Sequence, residues 1–367
     1  MGNTYKDSGV DYGPMDKFKR AAQDVARKTS INPKYGFKVV EWSRGESVFL
    51  VEETDSYRGH VIEGLGTKNL VADEMYLLTG KSYYEQVAQD CVAMIVNDMI
   101  TLGVMPLSVA MYLAAGDSDW FEDEIRYQDL INGWKKACDF SRCVWGPGET
   151  PTLRVIVNSE TVDLAGSAEG IIMPKDRLIN PKNIRAGDAI VLIKSSGIHA
   201  NGLTMARSIA GGLDDGFLAK MEDGRNFGEA LLDPTIIYVP LVDDCLESGI
   251  KIHYAVNITG HGWRKLMRVN QNFDYMINQI FEPQPVFKFI QKYGNVDIQE
   301  MYGNFNMGAG FALYVDQKDV LKVIDIASGL GMEAICAGNI KEAQTGQKRV
   351  IINPLNVEFL GSSLNIR

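Results

Sequence analysis

Asp98 is an acidic side chain on a helix face that is otherwise apolar, and that placement is a chemical signal. Between residues 83 and 102 the spacing of Val87, Cys91 and Met94 predicts an amphipathic helix that Gly103 ends. Around that helix Asp98 lies about 20° from Val87 and about 40° from Met94. A carboxylate on a buried face is costly unless it is paired or bound to a metal. Two readings stand. Either Asp98 caps the next turn or pairs with an arginine, or it is a ligand of Mg²⁺. In the second case Glu149, in GPGET, and Glu63, in EGLGTK, join it from adjacent loops. Hard oxygen ligands from separate loops, with phosphate oxygens, are how proteins hold Mg²⁺ beside a nucleotide. On the same helix Asp90 and Asn97 are seven residues apart, about 20° from each other, and make a polar stripe.

Glycines give a second signal. Four GxG pairs lie beside polar side chains: Gly64/Gly66, Gly146/Gly148, Gly260/Gly262 and Gly308/Gly310. Glycine lets the backbone approach a ligand closely and adopt positive φ. Turn geometry alone accounts for any one pair, and the set points more strongly to a ligand. None has P-loop or dinucleotide-fingerprint spacing, so a phosphate cradle here is of another type. The segment Ser195-Ser196-Gly197-Ile198-His199-Ala200-Asn201-Gly202 follows an apolar strand and precedes a helix. Small hydroxyls, a His and an Asn there suit an anion at the helix N-terminus. Equally, SSG and NG are turn dipeptides and Asn201 an N-cap. Asn257–Gly262, which includes Thr259, and Met301–Gly308 each read alone as turn or packing segments.

The elements that must position these groups alternate along 367 residues, enough chain for two domains. Residues 15–28 read as an amphipathic helix, and 36–80 as strands and turns. Residues 106–114 read as a buried strand, 122–141 as a second helix, and 143–170 as strand-like runs. A charged, proline-bearing stretch at 173–184 marks a boundary, so the expected domains are 1–172 and 173–367. The second opens with a strand at 189–193, a glycine turn and a helix at 203–209. It has a further helix at about 236–247 and a last strand near 350–352, and the polar tail 353–367 is expected to be loose. The expected fold class is α/β or α+β, two domains with a cleft between them.

Composition narrows the partners. The net charge is −10, the opposite of the basic excess that a nucleic-acid binder needs. An acidic chain binds an anionic small molecule through Mg²⁺, backbone N–H groups or a few placed cations. Five widely spaced cysteines with no CxxC fit buried free thiols, not a disulfide framework or zinc site. The polar N-terminus has no secretory h-region, and the most apolar run, 104–115, is too short to span a bilayer. The expected location is the cytoplasm.

Taken in order, the segments resemble one family. YKDSGVD (5–11), GLGTK (64–68), QDCVAMIVND (89–98), GVMPL (103–107), GET (148–150), DLAG (163–166), SSGIHANG (195–202), LLDPTIIYV (231–239), NITGHG (257–262) and NVDIQEMYGNFNMGAG (295–310) are similar to phosphoribosylformylglycinamidine cyclo-ligases. The resemblance implies an N-terminal ATP-binding domain that pairs in a homodimer and a C-terminal α/β domain. It implies Mg-ATP in a glycine-lined cleft and ATP-dependent closure of an imidazole ring in purine biosynthesis. Carried over by position, Asp98, Glu149 and Glu63 match acidic Mg-ATP positions. Gly64, Gly66, Thr67 and Lys68 match a phosphate-side loop. Thr150, Ser196, Thr259, Gly260, Asp90 and Asn97 fall on the nucleotide side. His199, Asn201 and Lys68 are the expected catalytic set, with His199 handling protons because an unshifted His titrates near neutrality.

Five positions depart from the family pattern. Glu63 stands for Asp, Gln23 for an ATP-side Lys, and Met111 for Asp. Pro147 is extra, and His261 replaces the middle glycine of TGGG. These departures keep two alternatives open: a superfamily paralogue that phosphorylates another small acceptor, or a nucleotide-binding protein without catalysis.

Overall fold

The computed structural model describes residues 12–364, so the YKDSGVD segment at 5–11 lies outside the described residues. Helix α1 (Tyr12–Arg27) precedes a six-stranded sheet of β1 (Lys38–Val39), β2 (Phe49–Glu52), β3 (Tyr57–Gly64), β4 (Met105–Ala115), β5 (Val144–Glu149) and β6 (Val162–Ile172). The spatial order is β1-β2-β3-β6-β4-β5, antiparallel except for β4 beside β5. Three helices belong to this half: α2 (Lys68–Thr79), α3 (Tyr84–Met99) and α4 (Glu124–Phe140).

Strand β3 shows why the sheet has two unlike faces. Gly59 and Val61 are buried, whereas His60 and Ile62 are exposed, the period-2 alternation of a one-sided sheet. The inner face packs on α3, and α4 lies along α3. Gly133 permits that approach, because a Cβ there would run into the backbone of Glu85. The outer face is open and carries exposed Ile62 and Leu107. A groove of about 550 Å³ runs over it, walled by Ile62, Tyr112, Pro147, Glu149 and Ala165.

The second sheet has seven strands: β7 (Ala189–Lys194), β8 (Ile252–Asn257), β9 (Phe273–Ile277), β10 (Ala309–Val315), β11 (Ala334–Glu342), β12 (Arg349–Ile352) and β13 (Val357–Leu360). Their order is β13-β12-β9-β11-β7-β10-β8, antiparallel except for β12 beside β9. The apolar run Ala189–Ile193 is buried on both faces, as expected of a strand near the middle of the sheet. Helices α5 (Leu203–Gly211), α6 (Phe227–Leu231), α7 (Val239–Glu247), α8 (Pro285–Gly294), α9 (Ile298–Asn304) and α10 (Val320–Gly329) complete the α/β half.

Two sequence expectations are corrected. Residues 68–79 form helix α2, not strand and turn. Val71, Ala72 and Met75 are its buried face, and left-handed Gly80 ends it. The tail beyond 353 is not loose up to its last described residues. It contributes β13, with Val357 and Phe359 buried and Glu358 and Leu360 exposed, antiparallel to β12. The described cysteines are all free, with Cys91, Cys138 and Cys245 buried. Among the described residues no helix is long and apolar enough to cross a membrane.

Candidate active site

Helix α3 belongs to the first half, and its polar stripe faces the second. The Asp90 carboxylate accepts hydrogen bonds from the Thr235 N–H (2.8 Å) and the Thr235 hydroxyl. Asn97 accepts from the Tyr238 N–H and donates to the Ile236 carbonyl, each at 2.8 Å. Gln89 donates to the Thr235 carbonyl at 2.8 Å. Asp90 and Asn97 therefore bind the backbone of residues 235–238, the segment that opens α7, and they lie inside the domain junction.

Lys68 joins the same junction. Its Nζ lies 2.7 Å from Asp90 Oδ2 and donates to the carbonyls of Asp233 (2.8 Å) and His199 (3.0 Å). Neither charged side chain of the pair is exposed. Burial raises the Asp90 pKa, and the Lys68 ammonium and the Thr235 hydrogen bonds oppose that rise.

His199 is held in a left-handed backbone conformation (φ 59°) and is buried. Its Nε2 accepts the Ser196 N–H at 3.3 Å, while the Ser196 hydroxyl donates to the Pro234 carbonyl at 2.6 Å. Gly310 must lack a Cβ here, since one would lie 2.6 Å from His199 Cε1. Burial, reinforced by the Lys68 charge, pushes the His199 pKa down to about 3. Both effects favour the neutral ring, the direction opposite to the near-neutral titration expected of His199. Asn201 is not the N-cap of α5, because Gly202 holds that position without a side-chain cap. Instead the Asn201 side chain accepts the Gly260 N–H at 3.1 Å and lines a cleft.

That cleft, of about 320 Å³, opens between the end of β3, the end of α3 and the loop after β8. Its acidic residues are Glu63, Asp98 and Glu46, the last 3.7 Å from Arg268 Nε. Asp98 is neither a cap nor an arginine partner; its carboxylate accepts from the Asn257 amide at 2.8 Å. Burial and the Asp98 charge raise the Glu63 pKa to about 7, with Lys265, Lys19 and Arg268 opposing. Thr259, Gly260 and His261 form part of the wall. His261 occupies the left-handed region (φ 68°), the conformation glycine adopts most easily. Burial and the Lys265 charge push its pKa down to about 3. Gly64 and Gly66 border the site with open space beside their Cα atoms, and half-buried Thr67 precedes α2.

Glu149 does not join Glu63 and Asp98 within one chain. Register pairs Glu63 with Gly166, whereas Glu149 pairs with Tyr112 in the row of Gly64 and Ala165. Glu149 therefore faces the open groove, three strand spacings or about 14 Å from Glu63. Thr150 follows it out of β5. The departures divide in the same way: Glu63 and His261 lie in the cleft, Met111 and Pro147 at the groove. Lys19, one helical turn before Gln23 on α1, lines the cleft.

Sequence reasoning missed Lys19, Lys265 and Arg268, and it singled out Asn257 in NITGHG without giving it a role. The available signal was WRKLMR directly after NITGHG, with cations three apart at Lys265 and Arg268. Arg268 donates to the Ser47 hydroxyl (2.8 Å) and the Gly45 carbonyl (2.6 Å), fixing the loop before β2. Away from the cleft, Asp188, His253 and Asp316 also gather. Arg185 donates to Asp316, and His253 meets Asp188 at 2.9 Å, which makes an ion-pair knot.

Residues 62–172 match the family model for the N-terminal domain of AIR synthase related proteins, and residues 185–351 match that for the C-terminal domain. The chain is 35% identical over 363 residues to the phosphoribosylformylglycinamidine cyclo-ligase of Methanocaldococcus jannaschii, covering 97% of each chain. It belongs to the phosphoribosylformylglycinamidine cyclo-ligase family. The Finegoldia magna member of this cyclo-ligase family is 32% identical, with 95% of this chain and 99% of that one covered. Solved structures share the fold at low identity. AaThiL complexed with AMPPCP and TMP matches with a TM-score of 0.58 at 14% identity, covering 93% of this chain and 96% of that one. T. maritima PurL complexed with ATP matches with 0.56 at 14% identity, covering 87% of this chain and 46% of the other.

Proposed function

We propose that the cleft binds Mg-ATP and formylglycinamidine ribonucleotide and closes the imidazole ring, as an ATP-dependent C–N ligase of cytoplasmic purine biosynthesis. The observation that carries this reading is the Glu63–Asp98 pair. Two carboxylates line a partly dry cleft, and burial first, then the Asp98 charge, raises Glu63 to about 7. Such a pair fits a hard divalent ion. Bound there, Mg²⁺ supplies charge neutralisation for a triphosphate. The cations Lys19, Lys265 and Arg268 give phosphate oxygens partners in an otherwise acidic chain.

In the reaction the γ-phosphoryl group moves to the substrate amide oxygen. The bond from phosphorus to the β–γ bridging oxygen breaks, and its electron pair leaves on ADP. The amidine nitrogen then adds to the activated carbon, and the C–O bond breaks with its electrons on phosphate. One proton passes to solvent. The residues act mainly by positioning and charge stabilisation. Asn257 orients the Asp98 carboxylate, and Asn201 fixes the Gly260 backbone. His199 and Lys68 hold the junction that sets the width of the cleft.

The open outer face of the first sheet supports a homodimer. Exposed Ile62 and the apolar groove beside it are the kind of surface that a second copy covers. The test of function is incubation of the purified protein with ATP, Mg²⁺ and formylglycinamidine ribonucleotide, with detection of ADP and aminoimidazole ribonucleotide. Absence of both products contradicts the proposal.

A further inference from the structure

Phosphoryl transfer leaves negative charge on the oxygens in flight, and the protein must meet that charge with a cation whose N–H groups are free to point at it. The sequence gives this place to Lys68, in GLGTK. An ammonium has three protons. Lys68 Nζ donates to the Asp233 and His199 carbonyls at 2.8 and 3.0 Å and lies 2.7 Å from Asp90 Oδ2, with no exposure. Nothing is left for a ligand unless the domain junction opens.

Lys265 differs on each count. It lines the cleft, and 9% of its surface is exposed, so the stem is fixed and the head reaches the cavity. Its Nζ contacts the Thr259 hydroxyl and, at 3.4 Å, the Asn257 carbonyl. Two neutral acceptors leave one proton undirected. Asn257 connects the two sides of the site: its backbone carbonyl meets Lys265, and its side-chain amide holds Asp98 at 2.8 Å. The ammonium is therefore tied to the wall that orients the carboxylate pair. Arg268 also lines the cleft, but its two terminal nitrogens are engaged with Ser47 and Gly45, which leaves it the buried Nε to offer a phosphate.

We propose that Lys265, not the buried Lys68, is the catalytic lysine, and that its Nζ binds the phosphoryl group as it passes from ATP to the acceptor oxygen. The residue keeps its proton throughout, and the bonds made and broken are those of the ring closure above. This inference rests on the cyclo-ligase reading and deepens it. Specificity also follows from the position. Thr259 and Lys265 together offer a short hydroxyl and an ammonium, a compact pair of donors for phosphate oxygens.

The test uses the full-length protein and Lys265→Met, Lys265→Gln and Lys265→Arg. Each variant is assayed with ATP, Mg²⁺ and formylglycinamidine ribonucleotide, and titrated with Mg-ATP and with inorganic tripolyphosphate by calorimetry. The expected result for Lys265→Met is a fall in kcat of about 100-fold, with the KM for the ribonucleotide changed less than about threefold. Lys265→Arg recovers at least a tenth of wild-type kcat, which a purely structural role would not produce. Should Lys265→Met fail to fold, Lys265→Gln, closer in shape and polarity, takes its place with the same expectation. Wild-type kcat in a folded neutral variant overturns the proposal. If the wild-type protein itself turns over no ribonucleotide, the cyclo-ligase reading fails and Lys265 is judged on binding. A loss of about tenfold or more in tripolyphosphate affinity in the neutral variant then supports it. Unchanged affinity, or no binding by the wild-type protein, overturns it.

Discussion

Lys68 and Asp90 meet at 2.7 Å with both side chains fully enclosed, and the lysine's other two partners are backbone carbonyls of the second domain. This buried ion pair joins the glycine turn after β3 to the SSGIHANG turn and to the start of α7. It makes the relative placement of the two sheets depend on charge satisfaction inside the junction.

Removing one partner strands the other charge in a dry site, which costs about 3–5 kcal/mol. Lys68→Met and Asp90→Asn are therefore each expected to lower the denaturant midpoint strongly, the first by stranding the carboxylate and the second by stranding the ammonium. Urea melts of the two variants and the double variant check this. A midpoint for Lys68→Met equal to wild type contradicts the structural role.

Asp98→Asn should abolish turnover while leaving the melting midpoint within a few degrees of wild type. Asn keeps an acceptor for the Asn257 amide but loses the charge a divalent ion needs. Retention of wild-type kcat at saturating Mg²⁺ excludes Asp98 as a ligand.

Glu63 gives a pH dependence whose sign is fixed. Its folded value, about 7, lies above the ordinary 4.5, so the folded protein holds a proton that the unfolded chain has released. The associated stabilisation is complete below about 4.5 and is lost as pH rises through about 7. In metal-free protein at pH 8, Glu63→Gln is expected to be more stable than wild type by on the order of 2 kcal/mol. The advantage should vanish at pH 4.5. An equal difference at the two pH values contradicts the raised Glu63 pKa.

His199 acts in the opposite direction. Its folded value, about 3, lies below the ordinary 6.5, so its contribution is present above 6.5 and is lost as pH falls toward 3. The acid limb of the rate profile should consequently show no step near 6.5 that His199→Gln removes. Disappearance of such a step in the variant assigns the ring to proton transfer after all.

Ile62→Asp places a charge on the open face of the first sheet, where Ile62 is 73% exposed in the single chain. Light scattering is expected to find a dimer for wild type and a monomer for the variant. A wild-type monomer, or a dimeric variant, contradicts pairing through this face.

Much of this site was legible in the sequence because burial and charge conflict there. Asp98 on an apolar face marked the cleft, and the polar stripe of Asp90 and Asn97 marked a second contact surface. What each residue touches was not legible. Two of the partners of Lys68 are carbonyls of the second domain, and only the folded chain shows that its ammonium is enclosed. Glu149 was placed with the wrong carboxylates because strand parity depends on register, and a one-residue shift reverses the face. Helix α2 was missed because the glycine turn before it reads as a continuation of strands, although Val71, Ala72 and Met75 have helical spacing. Lys265 lay within a basic run that resembles solvated surface, and only its burial beside Thr259 and Asn257 distinguishes it.

The most direct measurement follows ADP and aminoimidazole ribonucleotide together when the purified protein is given ATP, Mg²⁺ and formylglycinamidine ribonucleotide, with Asp98→Asn run alongside. Equal amounts of the two products from wild type, and neither from the variant, are expected. Mg-ATP bound with no ribonucleotide product, or ring closure undiminished in Asp98→Asn, contradicts the role given to the cleft.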